Sequence, residues 1–420
     1  MALFGALSTG RSGLIVNGAA LSVIGNNIAN VGTTAFKGSR TEFSDLVAAD
    51  GGGQIGNIGL GARVGTIRTL FDQGAIEATG RSLDLAIQGQ GFFVLREGQG
   101  DVYTRAGNFQ MNPDGTISNL NGDILQGFPV DATGQIVGGE TDINVAGVNS
   151  QAKATANTTL KGNLEADAAL KGTFDGTDFT TAYATSNYQS TLQVYDSLGA
   201  QHQVTLFFTK SSTPGDWTVN VGMDDGDLAG GTPGQLDIIG TDTISFDTNG
   251  NVDTSTNSGV ITTNSTTFNG AAAQQISIDL TGFTQFSGPS GVTSVVQDGF
   301  GAGQLASIDV DAKGILSATF DNGQTRPLFQ IEMAHFNAPE GLAPAGSGIF
   351  RESIESGRPS KGTAQSNGNG SIVSSALEQS NVQIASEFIN LISTQRAFEA
   401  SAKVITASDQ LLQDLINTVR

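Results

Sequence analysis

The 420-residue sequence contains no cysteine, which removes disulfides, thiolate chemistry and cysteine-ligated metal together. Histidine is nearly absent as well. His202 and His335 have no evident companions for a metal site or a catalytic relay, so a structural role is expected for each. Charged residues make up only 14%, and the surface must be dressed in Ser, Thr, Asn, Gln and Gly. What charge exists leans one way, to a net of −20. That balance argues against nucleic acid and anionic membrane as partners, since both require Lys/Arg patches. Residues 1–41 carry no acid, whereas residues 131–300 hold 18 acidic residues against Lys153, Lys161, Lys171 and Lys210, with no arginine. No run reaches the ~18–20 uninterrupted apolar residues of a membrane span. The nearest approach, residues 13–28, is broken by Asn17, Asn26 and Asn27, and membrane insertion is not expected. The same stretch lacks the basic start and continuous apolar run of a secretory signal, so any export would proceed without a cleaved leader.

What is present concentrates at the two ends. Leu3, Leu7, Gly10, Leu14, Asn17, Leu21, Ile24, Ile28 and Val31 follow 4–3 spacing. Ile384, Leu391, Phe398, Ile405, Leu412 and Val419 repeat every seven residues, with Phe388, Ala402 and Ile416 in the alternate seam. Apolar residues on a 3.5-residue period need a partner helix, because one exposed stripe cannot bury itself. Helices are therefore expected over 2–31 and from about 372 to 420. Ala385, Ile389, Ile392 and Leu415 add apolar residues beside the main seam, and a helix apolar on several faces needs several neighbours. The candidate assembly residues are Leu7, Leu14, Leu21, Ile24 and Ile28 at the front, with Ile384, Phe388, Leu391, Phe398, Ile405, Leu412, Ile416 and Val419 at the back.

Between the ends the period changes to two. Leu83–Ile87 and Gly91–Leu95 read as strands, and Asn112-Pro113-Asp114-Gly115 and Asn119-Leu120-Asn121-Gly122 as hairpin turns. Ser190–Tyr195 and Val204–Phe208 flank the turn Asp196-Ser197-Leu198-Gly199, and strands resume at Ile308–Val310 and Leu316–Phe320. The expected fold is mainly β with long terminal helices. The helices form a coiled-coil-type domain (1–33 and 371–420), followed by a Gly-rich extended connector (34–75). A first antiparallel β domain of barrel or sandwich type (76–145 and 286–370) encloses an inserted outer one (146–285). A fragment of about 76–370 is expected to fold by itself.

Catalytic chemistry finds no footing. Asp224-Asp225-Gly226-Asp227 lacks the ligand ladder of a calcium loop, and the glycine pairs at 59/61 and 299/301 lack the strand, helix and lysine of a phosphate loop. No catalytic, cofactor-binding or metal residues, and no cofactor, are assigned.

The stretch Ala20–Val31, containing Asn26, Asn27 and Asn30, with Thr34-Ala35-Phe36-Lys37, resembles the N-terminal signature of bacterial flagellar rod and hook proteins. Ala35 stands where that family usually has Gly. Ala376–Val382, containing Ser380 and Asn381, and Gln395-Arg396-Ala397-Phe398-Glu399-Ala400 are similar to its C-terminal signature. Leu83–Phe93 and Tyr103–Phe109 resemble its first β domain. Gln193–Gly199, His202, Val204–Phe208 and Phe320–Gln324 resemble the insertion of the hook members, which rod members generally lack.

The resemblance implies a non-enzymatic structural subunit of the flagellum, outside the cell and continuous with the basal body. Many copies would stack helically into a short curved tube that works as a universal joint in motility. It further implies export through the flagellar type III apparatus and contact with the distal rod, hook cap and hook–filament junction proteins. A distal-rod subunit, or an acidic extracellular adhesin trimerised by its helices, are the alternative readings.

Overall fold

In the computed structural model residues 2–47, 59–98 and 100–418 are described. The chain is 43% strand, with a helix at each end. It divides into two compact units: residues 1–147, 307–319 and 325–420, and residues 148–306 with 320–324.

Unit one begins with α1 (Ala2–Ala29) and ends with α3 (Ile384–Thr418). The two run antiparallel: Gly10 of α1 lies against Ser401 and Ile405 of α3, Gly13 against Ser401 and Gly18 near Phe398. A Cβ at Gly10 would stand 2.8 Å from Ile405 Cγ1, so only glycine permits this approach. By length and composition α1 could cross a membrane over Gly5–Ala29. The expectation against insertion therefore rests on its asparagines, not on length.

After α1 comes a correction to the expected connector. β1 (Ser39–Val47) and β2 (Gly59–Thr69) form an antiparallel pair, with Gly65 at a bulge opposite Glu42 and Phe43. The Arg68–Glu42 contact across the strands favours pairing despite the glycines. The expected glycine run at 51–53 and 56 lies outside the described residues.

β3 (Ile76–Ala78) and β4 (Leu85–Gln88) pair with strands Ala376–Glu378 and Ser371–Ser374. The final helix consequently starts at Ile384, not near 372: Ser371–Glu378 supplies the second edge that β3 and β4 require. A 76–370 fragment would leave both strands without partners, contrary to the expected division. β5 (Phe92–Glu97) and β6 (Gly100–Thr104) sit centrally in a 13-stranded sheet that also contains Ile124–Pro129, Ile315–Phe320, Thr325–Ile331 and Ile349–Arg351. Phe92, Phe336 and Phe350 share one buried cluster, with Phe71 packed against it and the rings edge-on, Phe71–Phe92 at 5.6 Å and Phe92–Phe336 at 5.8 Å.

Unit two is a sandwich. Tyr188–Tyr195, Gln201–Lys210, Asp216–Asp224 and Leu236–Ser245 form an antiparallel meander. The second sheet is ordered Val260–Thr262, Ser277–Phe286, Asn157–Glu165, Gly291–Gln297. Between them lies a core around Trp217, Phe208, Phe268 and Phe283. The Asp196–Gly199 turn forms as its residues suggest: Asp196 accepts from the Leu198 and Ala200 amides, and Gly199 takes φ +87°. Of the two expected forms, barrel or sandwich, the unit takes the sandwich. Two features differ from expectation: Asn157–Glu165 pairs parallel to Ser277–Phe286, made possible by their long sequence separation; and the unit extends to Ala306, since Gly291–Gln297 completes its sheet.

One buried carboxylate gives unit one a pH dependence. Lys361 Nζ donates to Asp101 at 2.7 Å and Glu140 at 2.8 Å, while Glu332, fully buried, lies 3.8 Å away. Burial, reinforced by Glu140 and Asp101 and opposed by Lys361, pushes the Glu332 carboxyl up to about 7 from 4.5. Between those values the folded state holds a proton that the unfolded state releases, so stability falls as pH rises through the window. Glu332→Gln should flatten urea-unfolding stability between pH 5 and pH 8, removing a slope on the order of 1–3 kcal/mol. An unchanged slope would assign the pH dependence to other groups.

Candidate functional site: the terminal helices and their buried anchor

The asparagines and Lys37 of the N-terminal signature act on backbone. Asn27, buried on α1, brackets Ser39, its Nδ2 donating to Ser39 O at 2.8 Å and its Oδ1 accepting from Ser39 N at 2.9 Å. Asn30 Nδ2 donates to Asn26 O at 2.9 Å and Thr33 Oγ1 to Asn30 Oδ1 at 3.1 Å, closing the helix end. Asn381, 343 residues further on, accepts from Gly38 N at 2.8 Å and donates to Leu70 O at 2.7 Å. Phe36 is half-buried, and its carbonyl accepts from Asn381 N at 3.3 Å. The Ser380 hydroxyl accepts from Val382 N at 3.3 Å. Gln395 and Arg396 are exposed on α3.

At the centre stands an ionic node with no exposed side-chain surface on Lys37 or Glu378. Lys37 Nζ donates to Glu378 Oε1 at 2.6 Å and to Asp72 O at 2.9 Å. The same Oε1 accepts from Gly74 N at 2.8 Å. Arg105 Nη1 lies 3.4 Å from Glu378 Oε2, its Nη2 donates to Gly89 O, and its guanidinium stands 5.5 Å from the Phe92 ring centre. Burial pulls both cations below their ordinary pKa, against the opposing pull of Glu378. Arg105 and Glu378 were not among the expected site residues. Their signal was available: each is a charge embedded in small and apolar residues, where an unpaired charge is costly.

Ala35 takes a left-handed backbone, φ +53°, is buried, and donates its N–H to Glu378 O at 2.8 Å. The departure from the family's usual glycine therefore falls where glycine fits best.

On the helices, Val16, Ala20, Ile24 and Asn27 are the most buried α1 side chains, apart from Gly10, with Leu7, Leu14, Leu21 and Ile28 half-buried. On α3, Leu391, Ile405 and Leu412 are half-buried and Phe398 is 38% exposed. The alternate seam differs from expectation. Glu387, Thr394, Ser401 and Ser408 occupy it, one residue before the expected row, and Phe388 and Ile384 are about half exposed. Small hydroxyl residues fit the glycine-lined contact with α1; bulky ones would not. Ile389 at 68%, Ile392 at 50% and Leu411 at 57% also point away from the chain's own core. The Ile416 side chain and Val419 lie outside the described part. A groove of about 320 Å³, lined by Val23, Ile24, Phe43 and Asn390 among others, opens between α1, β1 and α3.

No cluster fit for a metal ion occurs among the described residues. His202 stacks on Phe268 at 4.1 Å, between Asp196 and Asp227. Asp224 accepts from the Gly226 and Gly234 amides, a turn-building use of its carboxylate.

Four family models tile the chain. Flagella basal body rod protein matches residues 7–37, and the flagellar hook protein FlgE/F/G D1 domain matches 86–159. The flagellar basal body protein FlaE D2 domain matches 160–300, and the flagellar basal body rod FlgEFG C-terminal model matches 373–418. The flagellar hook protein FlgE of Borreliella burgdorferi is 34% identical, with 98% of each chain covered. The chain belongs to the flagellar hook protein family. The FlgE proteins of Salmonella typhimurium (32% identical, 97% of this chain and 98% of that one) and Brucella suis (32%, all of both) agree. Full-length correspondence includes unit two, which favours neither a rod subunit nor an adhesin.

The anchor yields two expectations. Glu378→Gln leaves two buried cations without their carboxylate and should cost about 3–5 kcal/mol in unit-one unfolding. Lys37→Met combined with Glu378→Gln should cost less than the sum of the single changes, read from a double-mutant cycle; additive losses would deny the coupling. Ala35→Gly should hold or raise stability by up to about 1 kcal/mol in the same melts, since relief of the left-handed strain outweighs the freedom that the unfolded chain gains. A clear loss would mean that the methyl packs more favourably than the backbone is strained.

Proposed function

We propose that many copies of this chain polymerise through α1 and α3 into the tubular hook, a flexible joint that carries motor torque to the filament. The observation that carries the reading is the apolar face of α3 turned away from α1: among the described residues Phe388, Ile389, Ile392 and Leu411 are left about half exposed or more. A helix whose inner seam is occupied, yet whose outer face is apolar, is built for further helices. The groove between α1, β1 and α3 gives such a neighbour a seat. Weakly charged, hydroxyl-rich β surfaces suit contacts that remake as the tube rotates, whereas large apolar or salt-bridged contacts would resist sliding.

The subunit acts without catalysis or cofactor. It leaves the cell through the flagellar type III apparatus as an unfolded chain. It meets the distal rod at one end of the tube, the cap during growth and the junction proteins at the other.

Ile389 is exposed in the single chain, so Ile389→Asp should leave unfolding and circular dichroism unchanged. In the polymer it would bury a carboxylate among apolar groups, at several kcal/mol per contact. Sedimentation and electron microscopy of concentrated full-length protein should show tubes for the unsubstituted chain and for Thr213→Asp, on the exposed surface of unit two, and none for Ile389→Asp. Normal tubes from Ile389→Asp would remove the outer face of α3 from the assembly interface.

A further inference from the structure

Seven asparagines are followed directly by glycine: Asn17, Asn121, Asn249, Asn269, Asn322, Asn367 and Asn369. In such a pair the glycine amide nitrogen can attack the asparagine side-chain carbonyl carbon, because the two groups are tethered and no side chain on the glycine shields the nitrogen. Where a larger residue follows, as Tyr188 follows Asn187 beyond the short helix α2 (Phe179–Thr185), its side chain hinders the approach. The fold decides which of the seven pairs is free to react, since the carboxamide must swing over its own backbone.

Six are restrained. Asn17 Nδ2 donates to Gly13 O at 2.8 Å within α1, Asn269 Nδ2 to Gly226 O at 2.8 Å and Asn367 Nδ2 to Lys361 O at 3.0 Å. Asn322 Nδ2 donates to Ser150 Oγ at 3.0 Å and to Gly301 O at 2.8 Å. Asn369 is buried, and its Nδ2 donates to Thr363 O at 3.3 Å. Asn249 is held most weakly, to Asp247 Oδ2 at 3.4 Å, but the attacking nitrogen there belongs to Gly250, which is buried.

Asn121 is the exception. It stands at the tip of the loop between Ile117–Ser118 and Ile124–Pro129, and both it and Gly122 are exposed. Among the described residues its carboxamide has no hydrogen-bond partner. The loop is folded by its neighbour: Asn119 Oδ1 accepts from the Asn121 amide at 3.0 Å and the Asp123 amide at 2.9 Å, and Asn119 O from Gly122 N at 3.2 Å. These bonds order the backbone and leave the Asn121 side chain to rotate. Only the exposed Gly122 bond must open for attack, and no atom lies within 4 Å of where a Gly122 Cβ would stand to confine that opening.

We propose that Asn121 is a site of self-modification, converting to aspartate and isoaspartate with water as the only co-reactant. Gly122 N gives up its proton to solvent and bonds to Asn121 Cγ, and the Cγ–Nδ2 bond breaks to release ammonia. Water then opens the cyclic imide at either carbonyl. One opening leaves an aspartyl residue, and the other leaves an isoaspartyl residue whose main chain runs through the former side chain. No electron is transferred. An aged chain thus carries one more negative charge at this loop and, in the isoaspartyl form, a longer backbone there.

Full-length protein held in mildly alkaline buffer, sampled over time and digested, tests the proposal by peptide mass spectrometry. Labelling by isoaspartyl methyltransferase marks the isoaspartyl product. The site at 121 should show the amide-to-acid mass change at least about fivefold faster than any other Asn–Gly site, the worth of one hydrogen bond that the others must first break. Asn121→Gln, which would require a larger ring, should abolish the change at that site and leave circular dichroism as it was. In concentrated urea the seven rates should converge, because each asparagine is followed by the same residue and the fold no longer restrains any of them. Faster conversion at another pair in the folded protein, no conversion at 121 while the urea-treated chain converts, or the same preference for 121 in urea as in buffer would overturn the proposal.

Discussion

The buried carboxylate of Glu378 is the constraint on which unit one depends. It lies at the end of a strand paired with β3, holds Lys37 just beyond α1, and faces Arg105 from the central sheet. Three separated parts of the chain therefore share one charge in a space closed to water. Such a pair is not a large net source of stability, because removing ions from water offsets most of their attraction. Its value is specificity: any other docking of the terminal segments would strand a charge. Asn27 and Asn381 extend the same logic to backbone, reading Ser39, Gly38 and Leu70 as another strand would.

Around this node the helices divide their labour by side-chain size. Glycines on α1 and hydroxyl residues on α3 bring the two backbones close, and the large apolar side chains of α3 are thereby turned outward. Close approach inside the chain and apolar surface outside it are two results of one rotation of α3. An inner seam filled by Phe388 and Ala402 would have buried more area within the subunit and left less for its neighbours.

Unit two shows the opposite economy of charge. Its core is sealed by Trp217, Phe208 and Phe283, while most of its carboxylates build turns, as Asp196, Asp247 and Asp253 do by accepting from amides two residues on. The Asn251 amide for Asp247, and the Ser255 and Thr256 hydroxyls for Asp253, hold these carboxylates below their usual range, so they remain charged at the surface. An acidic rim and an apolar interior are compatible because the acids work locally.

Local order was legible in the sequence: the helical ends from the seven-residue repeat, the Asp196–Gly199 hairpin from its turn residues, and family membership from ordered blocks of signature residues. These depend on neighbours a few positions apart. The strands at Ser371–Glu378 were not legible, since their partners lie about three hundred residues away and their short alternation also suits a helix start. The β1–β2 pair was hidden by glycines that a cross-strand partner tolerates. Which face of α3 turns inward was decided by the shape of α1, which heptad counting on either helix alone does not contain. The sequence by itself determined that the ends are helical, that the middle is β and that Lys37 closes a signature block after the first helix. Only the tertiary structure decided that Lys37 meets Glu378, because that contact spans 341 positions and exists only when sheet, termini and Arg105 close together.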